Sequence, residues 1–289
     1  MGLRIGWIGL GAMGAPMAAR VAQAGFEVRA YNRTPKPVDL GPGSVVDRLA
    51  DAFDGADVLC LMVSDAAAVR SVLEDGGAAE RLARGAVIVN FSTIGVAETQ
   101  AFAMSMAGHG VEWIDAPVSG SVQPAREGKL VVMAGGSEAA FRRVEPVLGA
   151  VAKAVHHLGP VGSGSAMKLL VNAYLATVIT GVSECLAVAD KIGLGRGRLL
   201  EVLSETSTWS PVLAAKRPLW EHDDFPASFA LKHMAKDLGL VQDLSGAWMA
   251  AMPLASAAYQ QILAACAHGL AEADMAAVFR QLTETVGSR

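Results

Sequence analysis

Apolar positions fall into two regimes along the chain. Up to His157, short apolar runs alternate with stretches of helical periodicity; beyond it only helical patterns remain. Arg4 to Ile8, Glu27 to Tyr31, Val58 to Val63, Ala86 to Asn90, Val111 to Asp115 and Leu130 to Ala134 have the length and composition of strands. Between them, Ala12 to Ala24, Asp65 to Leu73, Val96 to Gly108 and Glu138 to Leu148 read as helices. Such alternation predicts an α/β fold, a doubly wound parallel sheet with helices on both faces, and the apolar strand cores predict burial on both sides.

Gly159-Pro160 and Gly162-Ser163-Gly164 punctuate the change of regime, and Ser165 to Ile192 then runs almost unbroken to Gly193. A helix of that length extends about 40 Å at roughly 1.5 Å per residue, more than a small domain needs, so it is expected to span two domains. Leu199 to Ser204, Pro211 to Trp220, Leu231 to Ser245 and Leu254 to His268 add helices and no strand of comparable quality. The expected division is a sheet domain over 1–161 and an all-helical domain over 162–289. No formal charge occurs between Asp243 and Glu272, but Gly246, Pro253, the Gln260-Gln261 pair, His268 and Gly269 interrupt that stretch. It reads as two soluble helices split near Met252-Pro253 rather than a membrane span.

Composition narrows the partners. With 52% hydrophobic and 18% charged residues in 289, the chain can offset the entropy of ordering, which excludes intrinsic disorder. A net charge of -4 gives no general attraction for nucleic acid or anionic membranes. Cys60, Cys185 and Cys266 stand far apart in apolar segments without CxxC spacing and read as packed, reduced thiols. The glycines of MGLRIGWIGLGAMG interrupt what a secretory signal would need, so a cytoplasmic protein is expected. His156 and His157 would point to opposite faces of one strand, and His222 and His233 are isolated; no metal is expected. Trp209, Trp220 and Trp248 read as packing residues of the core or a subunit contact, with Trp209 a candidate for lining a cleft.

The sharpest local signal is Gly9-Leu10-Gly11-Ala12-Met13-Gly14, which follows a strand and opens a helix. In a dinucleotide site the first glycine permits the turn, the second lets the pyrophosphate approach, and the third packs helix on strand, while the helix N-terminus faces the phosphates. A glycine-rich turn without a ligand is the alternative, and the strand and helix on either side argue against it. The second strand ends in Tyr31-Asn32-Arg33-Thr34, with no carboxylate for the ribose 2'-hydroxyl of NAD. Arg33 and Thr34 could instead hold a 2'-phosphate, which favours NADP over NAD unless Arg33 is merely a solvated loop residue. Val63, Ser64 and Asp65 fall after a strand's carboxyl end, where a dinucleotide passes in such sheets.

Several ordered motifs then carry a resemblance over essentially the whole chain: GLGAMG at 9–14, FSTI at 91–94, DAPVSGS at 115–121, EGKLVVMAGG at 127–136, GSGSAMKLLVNAY at 162–174 and FALKHMAKDLGL at 229–240. Together they resemble the β-hydroxyacid dehydrogenases, the family of 3-hydroxyisobutyrate dehydrogenase and the glyoxylate/succinic semialdehyde reductases. The resemblance implies a Rossmann-type N-terminal domain, an all-α C-terminal domain, a substrate cleft between them, and a homodimer or homotetramer. It implies Lys168 as the general acid/base, with Asn172 orienting it or the reacting oxygen. An amine in a long apolar helix with an amide at i+4 is independently a good candidate.

By the same resemblance Ser119, the Gly120 N–H and Thr93 hold a substrate carboxylate, Phe229 and Asp237 shape the site, and Lys236 approaches the cofactor. SGS at 119–121 and Pro124-Ala125 depart from the SGG and Gly-Ala of many members, toward the glyoxylate/succinic semialdehyde reductases. The implied activity is NADP-dependent interconversion of a small carboxylate-bearing aldehyde or ketone and its hydroxyacid. An imine reductase on the same architecture and a noncatalytic dinucleotide-binding protein are the rivals, and Lys168 argues against both.

Overall fold

The computed structural model describes residues 2–284 and divides into two compact units, Met1–Lys168 and Leu169–Arg289. In the first, β1 (Arg4–Ile8), α1 (Gly14–Gln23) and β2 (Glu27–Tyr31) form the opening βαβ unit. β3 (Ser44–Val45), α2 (Leu49–Phe53), β4 (Val58–Leu61), α3 (Ala66–Arg70), α4 (Ala78–Arg81), β5 (Val87–Asn90), α5 (Val96–Gly108) and β6 (Glu112–Asp115) follow. These strands make a six-stranded parallel sheet in the order β3-β2-β1-β4-β5-β6.

The sheet is buried on both faces, as the apolar runs required. On one side Trp7 stacks on Phe91, with ring centroids 5.5 Å apart, over Met17, Val21, Val144 and Leu148. On the other, Leu59, Leu61 and Ile88 pack with Phe102 and Trp113. Every residue of β4 and β5 is buried.

A second sheet extends this unit. β7 (Val118–Ser119), α6 (Val122–Glu127), β8 (Leu130–Ala134), α7 (Glu138–Val151) and β9 (Ala152–His157) supply it, β8 pairing antiparallel with β7 and parallel with β9. The 29-residue α8 (Ser163–Lys191) then runs from the first unit into the second and ends before Gly193, whose φ of +79° ordinary side chains resist.

The second unit is helical among its described residues: α9 (Arg196–Ser204), α10 (Pro211–His222), α11 (Leu231–Ala247), α12 (Pro253–Ala265) and α13 (Val278–Glu284). Proline opens α10 and α12, where its missing N–H costs nothing. The uncharged stretch after Asp243 is broken between Ala247 and Pro253. Asp274 organises the entry to α11, and its carboxylate is wholly buried. Oδ2 accepts from Lys216 Nζ at 2.7 Å, Ser228 N at 2.9 Å, Ser228 Oγ at 3.0 Å and Phe229 N at 3.2 Å, and Oδ1 accepts from Ala276 N at 3.1 Å.

Several expectations need correction. The strand from Val58 stops at Leu61, because Val63 N turns away to donate to Ser92 Oγ. The helix expected from Asp65 to Leu73 has Asp65 as its cap, accepting from Ala68 N at 2.8 Å, and widens into a π-helical turn over Ser71–Asp75. The one expected through His268 leaves α geometry at Cys266, where Gly269 takes φ +85°. Cys60 is buried, but Cys185 is exposed, so it is not a packed thiol. Trp220 is fully buried with its Nε1 donating to Ala276 O, whereas Trp248 is 76% exposed and packs in no core.

Candidate active site

Parallel pairing puts the carboxyl ends of five strands in one row. Tyr31 pairs with Ile8, Ile8 with Leu61, Leu61 with Asn90 and Asn90 with Asp115. The segments after these residues carry Asn32 to Thr34, the glycine loop, Val63 and Ser64, Thr93, and Ser119 with Gly120. They therefore leave the sheet at the same end, where ligands of open parallel sheets bind.

Each glycine of the loop has a separate reason to be there. Gly9 takes φ +97°, and a Cβ would stand 2.2 Å from the Met62 carbonyl oxygen; one on Gly14 would stand 2.1 Å from that of Gly9. Packing within the chain thus explains Gly9 and Gly14. A Cβ on Gly11 would meet nothing within 4 Å. The space it leaves is an open cradle beside Ala12 and Met13, and no side chain caps α1. An uncapped helix N-terminus behind an open glycine fits the pyrophosphate of a dinucleotide.

Asn32 ties this loop to the end of β2. Its Oδ1 accepts from Leu10 N at 2.8 Å, and its Nδ2 donates to Thr34 O at 2.7 Å. The side chain is committed to loop geometry, while Arg33 and Thr34 are exposed beyond it. Ser92 plays a matching part between β4 and β5. Its buried hydroxyl accepts from Val63 N at 2.9 Å and its own N–H donates to Asn90 Oδ1 at 3.1 Å, fixing the segments that carry Val63, Ser64 and Thr93. Ser92 lies within the FSTI motif, where neither its residue type nor its spacing signals this bracing role.

Ser119 is half-buried and Gly120 exposed at the end of β7, where Gly120 takes φ +132°. Lys168, half-buried, lies in the second turn of α8. One turn on, Asn172 is 1% exposed; its Nδ2 donates to Asp237 Oδ2 at 2.6 Å, and its Oδ1 finds no hydrogen-bond partner among the described residues. Asp237 is itself 2% exposed, with Lys236 Nζ 3.0 Å from its other oxygen. Asn172, Asp237 and Lys236 thus form one connected group. Burial, aided by Lys232 and Lys236, pushes the nearby His233 imidazole below its ordinary pKa.

Phe229 belongs to a different network: its N–H donates to Asp274 Oδ2 at 3.2 Å and its carbonyl accepts from Met275 N at 2.9 Å. Neither Lys216 nor Asp274 carries a local sequence signal, since they meet across 58 residues. Among the described residues no group of three or more His, Cys, Asp or Glu is placed to hold a metal ion.

Comparison with known proteins places the fold and the family. Residues 4–159 match the NAD binding domain of 6-phosphogluconate dehydrogenase, and residues 162–282 match the NAD-binding domain of NADP-dependent 3-hydroxyisobutyrate dehydrogenase. The chain is 32% identical over 280 residues to glyoxylate/succinic semialdehyde reductase 1 of Arabidopsis thaliana, covering 96% of this chain and 97% of that one. The structure of Mycobacterium tuberculosis 3-hydroxyisobutyrate dehydrogenase with L-serine superposes with a TM-score of 0.86 at 30% identity, covering 98% and 99% of the two chains. An imine reductase from Pseudomonas sp. superposes less well, at a TM-score of 0.61 and 19% identity over 98% of this chain and all of that one, and shares the fold alone.

Proposed function

This chain belongs to the β-hydroxyacid dehydrogenase family, and from that membership we propose that it interconverts a small carboxylate-bearing aldehyde or ketone and the corresponding hydroxyacid, with NADP preferred and NAD the weaker cofactor. The observation that carries this reading is Asn172. It holds one amide end against Asp237 and keeps the other, Oδ1, buried and without a hydrogen-bond partner among the described residues, one helical turn from Lys168. A buried unpaired acceptor costs roughly 1–3 kcal/mol, so its retention beside an amine supports a donor filling it during the reaction, either the ammonium or a substrate hydroxyl.

In reduction, Lys168 as an ammonium donates its proton to the carbonyl oxygen, and its charge stabilises the developing alkoxide; in oxidation the neutral amine takes the hydroxyl proton. The nicotinamide of a dinucleotide held by the glycine loop would supply or take up the hydride. Asp237 accepts from Nδ2 and so allows Asn172 only one amide orientation. The Ser119 hydroxyl, Gly120 N–H and Thr93 hydroxyl are donors suited to a carboxylate. Arg33 and Thr34 suit a 2'-phosphate, and Asn32 presents no charge to repel it.

The same reading makes the protein a cytoplasmic homodimer or homotetramer. Leu170, Tyr174 and Val188 along α8, and Ile192 just past its end, expose apolar side chains, and all three cysteines are unpaired. The test pairs Lys168→Ala with two substrates. Turnover of succinic semialdehyde should fall by about 10² to 10⁴ while NADPH still binds, and the wild type should prefer succinic semialdehyde to butanal, which leaves the carboxylate donors unpaired. Near-normal turnover in the variant, or equal kcat/KM for the two aldehydes, would overturn the assignment.

A further inference from the structure

We propose that Asp115 is a positioning residue, whose carboxylate clamps the first turn of α8 to the end of β6 and thereby sets where Lys168 stands relative to the donors Ser119 and Gly120. The inference rests on the roles given above to those three residues.

Asp115 is wholly buried. Its Oδ1 accepts from Gly162 N at 2.8 Å and its Oδ2 from Ser165 N at 2.7 Å, across 47 and 50 residues of sequence. These are N–H groups at the start of a helix, which have no partner within the helix itself. A serine or aspartate beside them in sequence could satisfy them cheaply. A carboxylate supplied by the sheet does more, because it fixes the helix to the strand as well as capping it.

The surrounding backbone leaves little room for any other arrangement. Asp115 exchanges main-chain hydrogen bonds with Gly135 at 3.0 and 2.8 Å. A Cβ on Gly164 would stand 2.3 Å from the Met133 oxygen and 2.6 Å from the Asp115 oxygen, and one on Gly135 would stand 2.8 Å from Asp115 Oδ1. Thr99 Oγ1 lies 3.0 Å from Ser165 Oγ and holds the joint from α5. Burial pushes the Asp115 carboxyl up to about 6, with the N–H groups of Gly162 and Ser165 pulling the other way, so at neutral pH it is an ionised cap. Ser119 lies four residues beyond Asp115 and Lys168 one turn beyond Ser165, so the clamp is the short structural link between substrate anchor and amine.

A double-mutant cycle tests this. Asp115→Asn keeps the shape, but its amide cannot accept from both N–H groups. In the wild-type background kcat should fall about 10- to 100-fold, as expected for a misplaced catalytic group, with substrate KM and NADPH Kd within threefold. In the Lys168→Ala background the same substitution should cost less than threefold in kcat, since nothing remains to misplace. An equal loss in both backgrounds, or kcat within twofold of wild type for Asp115→Asn alone, would overturn the positioning role. If Asp115→Asn does not fold, Thr99→Val decides by the same cycle, with a smaller loss expected. Near-normal turnover in Lys168→Ala alone would sink the underlying assignment, and this inference with it; loss there combined with an additive cycle would sink this inference only.

Discussion

Lys216→Met removes the counter-charge of a carboxylate that has no exposure at all, and the contacts around it set the size of the penalty. Lys216 is 5% exposed, and its Nζ reaches Asp274 Oδ2 and Ser228 Oγ, both at 2.7 Å. Breaking a buried pair from one side costs about 3–5 kcal/mol, because the remaining charge stays in low dielectric. Asp274 would keep three backbone N–H donors and the Ser228 hydroxyl, so the loss should lie near the lower end, about 3 kcal/mol. Asp274→Asn strands an ammonium and also halves the acceptor capacity, so its cost should approach the upper end, about 5 kcal/mol. The double variant carries no buried charge and should cost at least about 2 kcal/mol less than the two single losses together.

Urea unfolding of the three variants measures these differences, and peptide-resolved hydrogen exchange locates them. Segments 225–231 and 271–277 should lose protection first. Asp274 N donates to Phe225 O, Leu231 N to Ala273 O and Met275 N to Phe229 O, so the two segments are one hydrogen-bonded patch around the pair. A cost below about 1 kcal/mol for Lys216→Met, or additive single losses, would refute the idea that the charges hold this patch.

Arg33→Ala should weaken NADPH tenfold to a hundredfold, roughly the worth of charge-assisted hydrogen bonds, and leave NADH nearly unchanged. Fluorescence titration of both cofactors checks it, and an equal loss for the two would mean that Arg33 does not contact the 2'-phosphate. The Asp115 carboxyl also predicts a pH dependence of stability. Its pKa rises from an ordinary 3.8 to about 6 on folding, so the folded state binds its proton more tightly, and the contribution is full below about pH 4 and lost as pH rises through 6. Between pH 4 and pH 7 the stability of wild type relative to Asp115→Asn should therefore drop by about 2 kcal/mol, and a difference independent of pH in urea titrations would contradict it.

What the sequence made legible, and what it hid, follows from the range of the interactions. The strands ending at Ile8, Tyr31, Asn90 and Asp115 are short apolar runs, and parallel pairing forces their ends into one row; the position of the candidate cofactor loop was thus readable from pattern alone. β3 was not, because its two residues are both exposed and carry no alternation. The π-helical turn at Ser71–Asp75 shifts the helical register without changing composition, so periodicity extends straight through it, and the helix after Pro253 is broken by the non-helical His268 and Gly269 inside an otherwise apolar run. Lys168 and Asn172 are visible as an i, i+4 pair on one apolar helix. Their supports are not: Asp237 meets Asn172 across 65 residues, and Asp115 meets α8 across about 50, distances over which residue type alone says nothing of pairing.

Asn32 has an implication for how cofactor choice can be altered in this lineage or by engineering. An acidic residue at the end of the second strand is what binds the ribose 2'-hydroxyl of NAD in such folds. Here that position is a two-way fastener, accepting from Leu10 N through one end of its amide and donating to Thr34 O through the other. Aspartate could replace the acceptor but would set an oxygen against the Thr34 carbonyl, so the loop that follows must be redrawn in the same step. Placing a carboxylate there is thus a coupled, multi-residue move, with a poorly formed loop as its intermediate, and single substitutions at Asn32 explore only that intermediate.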